Sequence, residues 1–349
     1  MHSSYNESDV KVLLKDISGK ISPLSAKERE KLIQSGVHYS ELLPQEYEPS
    51  QKYINLYEYA LKNFSSYTAL AVQGAAEKIY KLHGKSTVIV SLARAGIPVG
   101  VLIKHYLVHK YKIDVPHYAI SIIRGKGIDK NAMKYILERH KAENICFVDG
   151  WIGKGAIQNV LHNALDNDYP EIDSTVAVLS DPAHITTLCG TNEDFLIASS
   201  CLNCIVSGLL SRTVLRDDLI GKDDFHGAVF YREFLPRDRS YEFINAVEKC
   251  MKYDDIQPFE PVIDFGGVKE TQKIAEEFSV SDINRIKPSI GEATRVLMRR
   301  VPDIILVRDK NDKFVSHLLE LADEKGVEVR EYPLKYYRAC GIIKDLADT

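Results

Sequence analysis

The sequence of 349 residues predicts an α/β protein with a mainly parallel central sheet. From residue 86 onward, short apolar runs alternate with segments whose apolar residues recur at helical spacing. Parallel strands need long crossover connections, which are usually helices, so this alternation is typical of a parallel sheet covered on both faces. Glycine-containing loops follow two of the apolar runs. Because ligands of such sheets bind beyond the carboxyl ends of the strands, we expect a site at these loops.

Composition excludes several classes of protein. With 45% hydrophobic and 27% charged residues, the chain has the composition of a soluble globular protein. The net charge of −4 gives no overall attraction to nucleic acid or to an anionic membrane. No apolar run reaches the roughly 18 residues of a membrane span, and the polar N-terminus lacks a signal-peptide core. Six scattered cysteines do not form a disulfide framework. We predict a cytoplasmic protein with no membrane partner, and the sequence is compatible with an oligomer.

Three segments differ in pattern. Residues 1–75 show helical spacing broken by polar turns and no clear strand, which predicts an N-terminal helical extension. Residues 76–252 carry the alternating pattern and the two glycine loops. Prolines and glycines in residues 254–288 indicate a linker with a short element, and residues 262–349 are predicted to form a small C-terminal α/β domain.

The pattern predicts particular elements in order. In the central segment, strands are expected at Thr87–Leu92, His117–Ile123, Ile145–Val148, Thr175–Leu179 and Phe195–Ala198. Helices are expected there at Ile97–Lys110, Asn131–His140 and Ala156–Leu165. In the C-terminal segment, we expect helix Gly291–Arg300, strand Asp303–Val307, helix Asp312–Lys325, strand Val327–Glu331 and helix Tyr336–Leu346.

The most informative stretch is residues 145–157, in which a buried strand, Asp149 and a glycine-rich loop precede a helix. The helix N-terminus offers N–H groups and a positive dipole, glycines let the backbone approach a phosphate, and the acid can accept ribose hydroxyl hydrogen bonds. A purely structural turn is the alternative. The loop is not a Walker A loop, because glycine stands where Ser or Thr would hold Mg²⁺. The expected ribose-phosphate contacts are Asp149, Gly150, Gly153, Lys154, Gly155 and Ala156.

A second loop closes an earlier strand. Its residues are Ala93, Arg94, Ala95 and Gly96. Small side chains allow close backbone contact with a pyrophosphate, and a guanidinium pairs with phosphate oxygens. A surface arginine beside a helix start is the alternative. The basic segment that begins at Arg124 follows the next strand, and it is either a lid over a phosphate-rich ligand or a flexible hairpin.

The two loops and the basic segment, taken together, resemble those of type I phosphoribosyltransferases. The resemblance implies a phosphoribosyltransferase-like sheet and a substrate that is phosphoribosyl diphosphate, bound with Mg²⁺, or a nucleotide. It implies attack at ribose C1 by a base nitrogen, with Asp149, Arg94 and Arg124 as the catalytic positions. Two features depart from the family. Asp149 is followed by Gly150 where the family usually has a second acid, and Lys154 stands where the phosphate loop usually carries Thr hydroxyls.

A more extensive resemblance links residues 5–252 to the bacterial cysteine protease StiP family, earlier described as phosphoribosyltransferase-like. The matching stretches are 8–10, 34–44, 91–100, 148–157, 201–203, 207–213 and 225–228. The resemblance implies a link to stress-response and tellurite-resistance operons and a role in making a ribonucleoside. In the loop-like stretch 34–44 we expect contacts to the second substrate, and the candidates are Gln34, His38 and Glu41.

The protease label implies a different activity. A cysteine peptidase needs a thiolate, a nearby imidazole and a group that orients the imidazole. The candidates are Cys201 as nucleophile, His38 or His226 as base, and Glu41 or Asp224 as orienting acid. Cys201 as a packing residue is one alternative to this reading. The other is a zinc site, with the candidate ligands Cys201, Cys204, Cys189 and His184.

The C-terminal segment resembles the pelota-type RNA-binding domain. Its relatives bind kinked RNA with a glycine-rich helix start, and Gly291, Glu292 and Arg295 occupy that place here. From Ile290 to Thr349 we count 11 Lys and Arg against 11 Asp and Glu, so the segment has no bulk basic surface. The resemblance therefore implies binding of structured RNA rather than of any polyanion. A third functional hypothesis is a non-catalytic, nucleotide-sensing RNA-binding regulator.

Overall fold

The computed structural model describes residues 1–345, and it shows a mixed α/β protein. A mainly parallel central sheet is covered by helices, and a smaller four-stranded sheet with its own helices forms the C-terminal domain. The expected fold class is confirmed at this level.

The strands and helices are numbered in chain order. The strands are β1 Lys11–Val12, β2 Lys15–Asp16, β3 Val88–Ala93, β4 His117–Ile123, β5 Gly127–Ile128, β6 Ile145–Val148, β7 Val176–Ser180, β8 Cys189–Thr191, β9 Gly227–Ala228, β10 Ile286–Pro288, β11 Pro302–Val307, β12 Glu328–Glu331 and β13 Ala339–Ile343. The helices are α1 Ala26–Gln34, α2 Gln51–His83, α3 Gly96–Tyr111, α4 Lys130–Leu137, α5 Ala156–Asp168, α6 Ser240–Glu248, α7 Gly266–Glu277, α8 Ile290–Arg299 and α9 Ser316–Lys325.

The order of the central sheet creates one crevice. The strands run β1-β4-β3-β6-β7-β8, all parallel, and β5 pairs with β4 in the antiparallel direction. The chain passes from β3 to β4 on one side and then returns to β6 on the other side of β3. At such a reversal the two following helices lie on opposite faces, which opens a crevice beyond the strand ends. The loops after β3 and β6 therefore meet at one point.

The N-terminal segment differs from the expected helical extension. Strand β1 joins the edge of the central sheet through the pair Lys11↔Tyr118, and β2 pairs with β9. Helix α2 runs from Gln51 to His83, so the expected boundary at residue 75 falls inside it. A two-residue strand is too short to show an alternating pattern in the sequence. Its pairing depends on the sheet edge that it meets.

Two further elements were wrongly expected. Residues 195–198 form no strand, although they are buried, and the edge strand is instead Cys189–Thr191. The expected helix Tyr336–Leu346 is strand Ala339–Ile343, which lies between β10 and β11, while Leu346 lies outside the described residues. A short apolar run does not reveal by periodicity whether it is a buried strand or a buried helix.

The C-terminal domain shares its apolar core with the central domain. Its sheet has the order β10-β13-β11-β12, with β11 and β12 parallel. Ile290 and Val296 of α8 belong to the same buried cluster as Tyr57 of α2, and Phe314 stacks on Phe64 with ring centroids 5.5 Å apart. This packing sets α8 against the crevice of the central sheet.

We predict that Gly96→Ala destabilises the protein. A Cβ at this position would lie 2.3 Å from the carbonyl oxygen of Val148, so the start of α3 and the end of β6 would have to separate. Overpacking of this kind costs about 1–3 kcal/mol, which would appear as a lower urea midpoint with an unchanged slope. Gly150→Ala is the matched control, because its Cβ would meet only the Ala95 oxygen at 3.7 Å. Equal midpoints for the two variants would contradict this account of the crevice.

Candidate functional site

Three adjoining cavities lie where the crevice of the central sheet meets the C-terminal domain. The switch-point cavity, of about 340 Å³, lies beyond the ends of β3 and β6. The loop cavity, of about 330 Å³, lies between residues 153–158 and residues 286–288. The interdomain cavity, of about 710 Å³, lies between residues 44–50 and α8. All three share lining side chains and form one continuous site; the shared residues are Arg124, Arg212 and Arg295.

Asp149 lies in the wall of the switch-point cavity, immediately after β6. One carboxylate oxygen accepts a hydrogen bond from the N–H of Gly150 at 2.8 Å. Burial raises the pKa of this carboxyl to about 6, although the Gly150 N–H and the charge of Arg295 oppose the rise. A desolvated carboxylate with acceptor capacity facing a cavity is suited to bind ligand hydroxyls.

The glycine loop leads into α5 without a side-chain cap. Gly155 has φ of +81°, a conformation that favours glycine, and it is the N-cap of the helix. The N–H groups of the first helical turn have no partner within the helix, and here they face the loop cavity. Gly153, Gly155 and Ala156 thus line the loop cavity.

Lys154 is directed to the C-terminal domain. Its Nζ donates to the carbonyl oxygens of Ile283 at 2.5 Å and Ile286 at 3.2 Å. Burial lowers the pKa of this lysine to about 8, with a further contribution from Lys287. The ammonium therefore joins the two domains at the edge of the loop cavity, rather than replacing the hydroxyls of a phosphate loop.

Arg94 is already paired within the protein. Its guanidinium forms an ion pair with Glu46 at 2.8 Å and donates to the carbonyl of Leu210 at 2.7 Å. Burial disfavours the charged form, but Glu46 more than offsets this and raises the pKa of Arg94. The Ala93–Arg94 peptide bond is cis. Arg94 forms part of the cavity wall, and its charge is largely balanced before any ligand binds.

Two further arginines of the site have no carboxylate partner among the described residues. The Arg212 side chain makes no hydrogen bond or ion pair there, and desolvation together with the charge of Arg94 lowers its pKa to about 10, although the residue as a whole is exposed. Arg299 donates only to neutral oxygens, those of Asn203 at 2.7 Å and Cys201 at 3.0 Å, and burial lowers its pKa also to about 10. Guanidiniums that line a cavity without a carboxylate partner are well suited to bind an anionic ligand.

Sequence reasoning did not identify Arg212 as a site residue. The one available signal was its place in the stretch 207–213 that carries the family resemblance. Arg124 does reach the site, with its guanidinium 5.9 Å from the ring centroid of Tyr39. The N–H of Arg124 also donates to the Tyr39 hydroxyl at 2.7 Å, so the segment after β4 is tied to the N-terminal segment.

The stretch 34–44 reaches the switch-point cavity through Tyr39 and Leu42. Gln34 is the exposed last residue of α1, and His38 bonds the Ser40 hydroxyl at 2.8 Å through Nδ1. Neither of these residues lines any of the three cavities, and the same holds for Glu41. The three expected contacts to a second substrate are therefore near the site but outside its walls.

The expected cysteine constellation is not assembled. Cys201 has an exposed fraction of 0%, and burial raises the pKa of its thiol to about 12. His226 bonds the Ser121 hydroxyl at 2.9 Å, and Asp224 pairs with Lys15 at 2.5 Å. Within residues 1–345 the structure contains no group of three or more His, Cys, Asp or Glu suited to a metal ion, so the zinc hypothesis finds no ligand set there.

The expected RNA-binding helix start faces the central domain. The N–H of Ile290 donates to both oxygens of Asp194, at 2.9 and 3.1 Å, so a carboxylate of the central domain occupies the N-terminus of α8. A Cβ on Gly291 would lie 3.5 Å from the Ser200 hydroxyl. Arg295 pairs with Glu292 at 3.1 Å and lies 4.7 Å from the ring centroid of Trp151. Glu292 and Arg295 thus line the shared site, whereas Gly291 faces Ser200 of the central domain outside the three cavities.

Comparison with known proteins identifies the family. A family model described as "Tellurite-like stress resistance cysteine protease StiP" matches residues 3–248. The chain belongs to this family. The protein named "Cysteine protease StiP" of Acinetobacter baylyi (strain ATCC 33305 / BD413 / ADP1) is 35% identical over 366 residues, which cover 98% of this chain and 94% of that protein. The resemblance found in the sequence is confirmed.

Two further comparisons concern the domains. A model described as "PELOTA RNA binding domain" matches residues 265–345, which confirms the second resemblance. The "Helicobacter pylori Xanthine-Guanine-Hypoxanthine Phosphoribosyltransferase" aligns with 32% of this chain and 69% of its own, at 18% identity and a TM-score of 0.23, a likeness too small to carry an argument. Within residues 1–345, no helix combines the length and apolar character that crossing a bilayer requires.

We predict that Cys201 resists alkylation in the native protein. A buried thiol with a raised pKa is almost entirely protonated at neutral pH, and the thiol form is not nucleophilic. Iodoacetamide at pH 7.5 should therefore label Cys250, which is exposed, well before Cys201. Peptide mass spectrometry measures both rates, and Cys250→Ser removes the fast adduct as a control. Rapid labelling of Cys201 in that variant would show that the thiol is accessible and activated.

Proposed function

We propose that the chain binds a ribose-phosphate ligand, either phosphoribosyl diphosphate or a nucleotide, and acts on it as a phosphoribosyltransferase-like enzyme. This proposal rests on one observation: Asp149 and arginines that lack carboxylate partners lie around the same cavity. A phosphate would supply these guanidiniums with the opposite charge and the bidentate acceptors that they lack within the protein.

Each group has a distinct task in this proposal. The Asp149 carboxylate accepts hydrogen bonds from ribose hydroxyls. The N–H groups at the start of α5 bind the 5-phosphate in the loop cavity, with Arg212 beside them. Because Arg94 is neutralised by Glu46, Arg124 and Arg212 supply most of the positive charge for a diphosphate.

A magnesium ion fits the donor set that would surround a diphosphate. Mg²⁺ prefers oxygen ligands and is usually held by one or two carboxylates together with substrate phosphates. Asp149 is the one carboxylate among the described residues that line the switch-point cavity. Such an ion would neutralise charge on the departing diphosphate, while the protein's own arginines hold its oxygens in position.

The family description supports a role in stress resistance, including a tellurite-like response. For the chemistry, we propose that the product is a ribonucleoside or its phosphate, because a carboxylate suited to ribose hydroxyls and arginines suited to phosphate lie around one cavity. A ligand-sensing role without catalysis would show the same binding and no turnover.

We predict that Asp149→Asn weakens binding of phosphoribosyl diphosphate with Mg²⁺, and of nucleoside monophosphates, by about tenfold to a hundredfold. Loss of one charge-assisted contact corresponds to roughly 1.5–3 kcal/mol. Trp151 is the only tryptophan of the chain and lines the cavity under Arg295, so its fluorescence reports occupancy directly. Asp217→Asn, at an exposed position, is the matched control. A wild-type protein that binds neither class of ligand would refute the proposal.

We also predict that affinity rises with pH between 5 and 7.5. The carboxyl with a pKa near 6 is mostly protonated at pH 5 and must lose its proton to accept two hydroxyl bonds, so binding should tighten by about tenfold as it ionises. The ligand's own phosphate also titrates in this range, but it affects both proteins equally. Dividing the wild-type affinity by the Asp149→Asn affinity at each pH cancels that effect. A ratio that stays constant over this range would exclude ionised Asp149 as the ribose acceptor.

The second candidate function is a cysteine peptidase, and it is favoured by the family description and by the name of the Acinetobacter relative. Cys201 and Cys204 line the interdomain cavity, although both side chains are buried. Hydrolysis of unfolded casein by the wild type, lost in Cys201→Ala or Cys204→Ala while the fold is retained, would establish this activity. Absent hydrolysis, together with slow alkylation of Cys201, would leave the ribose-phosphate proposal as the only one supported.

A further inference from the structure

We infer that the two domains together bind the 3′ end of a single-stranded RNA, with its last ribose at Asp149 and the preceding nucleotides in the interdomain cavity. This inference rests on the proposed function, since it needs a ribose at Asp149, and it names the polymer to which that ribose belongs.

The size and continuity of the site support a ligand longer than one nucleotide. Pockets of roughly 300–1,000 Å³ hold single small ligands, so the switch-point cavity of about 340 Å³ suits one nucleotide. The interdomain cavity adds about 710 Å³ and shares Arg94, Arg124 and Arg299 with it. A mononucleotide would leave this second volume and its charged walls without a partner.

The positive charge continues along the path that a polymer would take. Lys287 and Arg300 line the interdomain cavity, and neither side chain makes a hydrogen bond or an ion pair within residues 1–345. Burial, with Arg300 and Arg124 nearby, lowers the pKa of Lys287 even though Glu292 opposes the change. The domain as a whole has balanced charge, and these two cations without a carboxylate partner lie on the same wall. Successive phosphodiesters are the ligand that a row of such cations favours.

An aromatic surface lines the same cavity. Tyr47 is 65% exposed, which is unusual for so large a ring. Tyr53 lines the same cavity, and its hydroxyl donates to the carbonyl of Met298. Unpaired bases of single-stranded RNA stack on such rings. Cations next to an exposed tyrosine therefore match a chain of nucleotides better than a compact diphosphate.

The start of α8, the position expected to bind RNA, is not open to a phosphate. Asp194 already occupies the N-terminus of α8, and a phosphate there would have to displace a buried carboxylate that also accepts the N–H of Arg338 at 2.9 Å. Residues of this domain that line the interdomain cavity, such as Lys287 and Arg300, offer RNA another place to bind.

The carboxylate of Asp149 selects the RNA terminus. Two vicinal hydroxyls are present only on the last ribose at the 3′ end, because every internal ribose has its 3′ oxygen esterified. The 5′ phosphate of that last nucleotide is the link to the rest of the chain, which would run toward Lys287 and Arg300. DNA lacks the 2′ hydroxyl and would present one donor fewer.

The test uses the full chain and short 5′-fluorescein-labelled RNA oligomers in an anisotropy titration. We expect RNA with a free 3′ end to bind at least tenfold more tightly than the same RNA with a 3′ phosphate, and more tightly than RNA with a 3′-terminal deoxynucleotide or than DNA. Equal binding of the free and the 3′-phosphorylated RNA would overturn the inference.

Variants separate this inference from the proposed function. Arg300→Glu and Tyr47→Ala should each weaken RNA binding at least fivefold, while the response of Trp151 to a nucleoside monophosphate stays within twofold of the wild type. Lys310→Glu is the matched charge reversal at an exposed position of the same domain, away from the cavity. An equal loss in Lys310→Glu would indicate generic electrostatics and would overturn the inference. If monophosphate binding persists without RNA selectivity, only the inference fails; if the wild type binds no ribose phosphate, the proposed function fails.

Discussion

The contact between Asp194 and the start of α8 fixes how the C-terminal domain is placed on the central domain. Its carboxylate accepts N–H groups from Ile290 and Arg338, two points on the C-terminal domain. Burial raises the pKa of this group to about 6, while these N–H donors favour its charged form. A carboxylate at a helix N-terminus is favourable both as a hydrogen-bond acceptor and as a charge on the dipole. The contact also sets the direction of α8, and with it the arginines that close the crevice.

Positive charge is concentrated at the site. The protein is net acidic, yet the crevice brings together arginines from the central domain and from α8. They come from distant parts of the sequence, and only the reversal of strand order beside β3 makes a place where all of them meet. Arg212 and Arg299 both lack a carboxylate partner among the described residues, and such a grouping of cations around one cavity is the basis of the proposed anion binding.

The parallel core could be predicted from the sequence because its strands and helices follow patterns within short stretches of the chain. Strand His117–Ile123 agrees with the expected bounds, and Asp149 lies where a strand followed by a glycine loop places it. The remaining parts depend on partners far away in the chain. The pairing of Lys11 with Tyr118 is set by an open sheet edge, and the binding of Asp194 to Ile290 joins residues 96 positions apart. No local pattern reveals such contacts, nor the complete burial of Cys201.

The shared apolar core has a consequence for how this chain changes over evolutionary time. Its two segments match separate family models, which suggests interchangeable modules, yet Phe64 and Phe314 stack across the boundary. A C-terminal domain transplanted from a relative would have to bring a complementary ring and a helix start that fits the same buried acid. Recombination between distant members should therefore yield few folded hybrids, and the two segments should be inherited as a single unit.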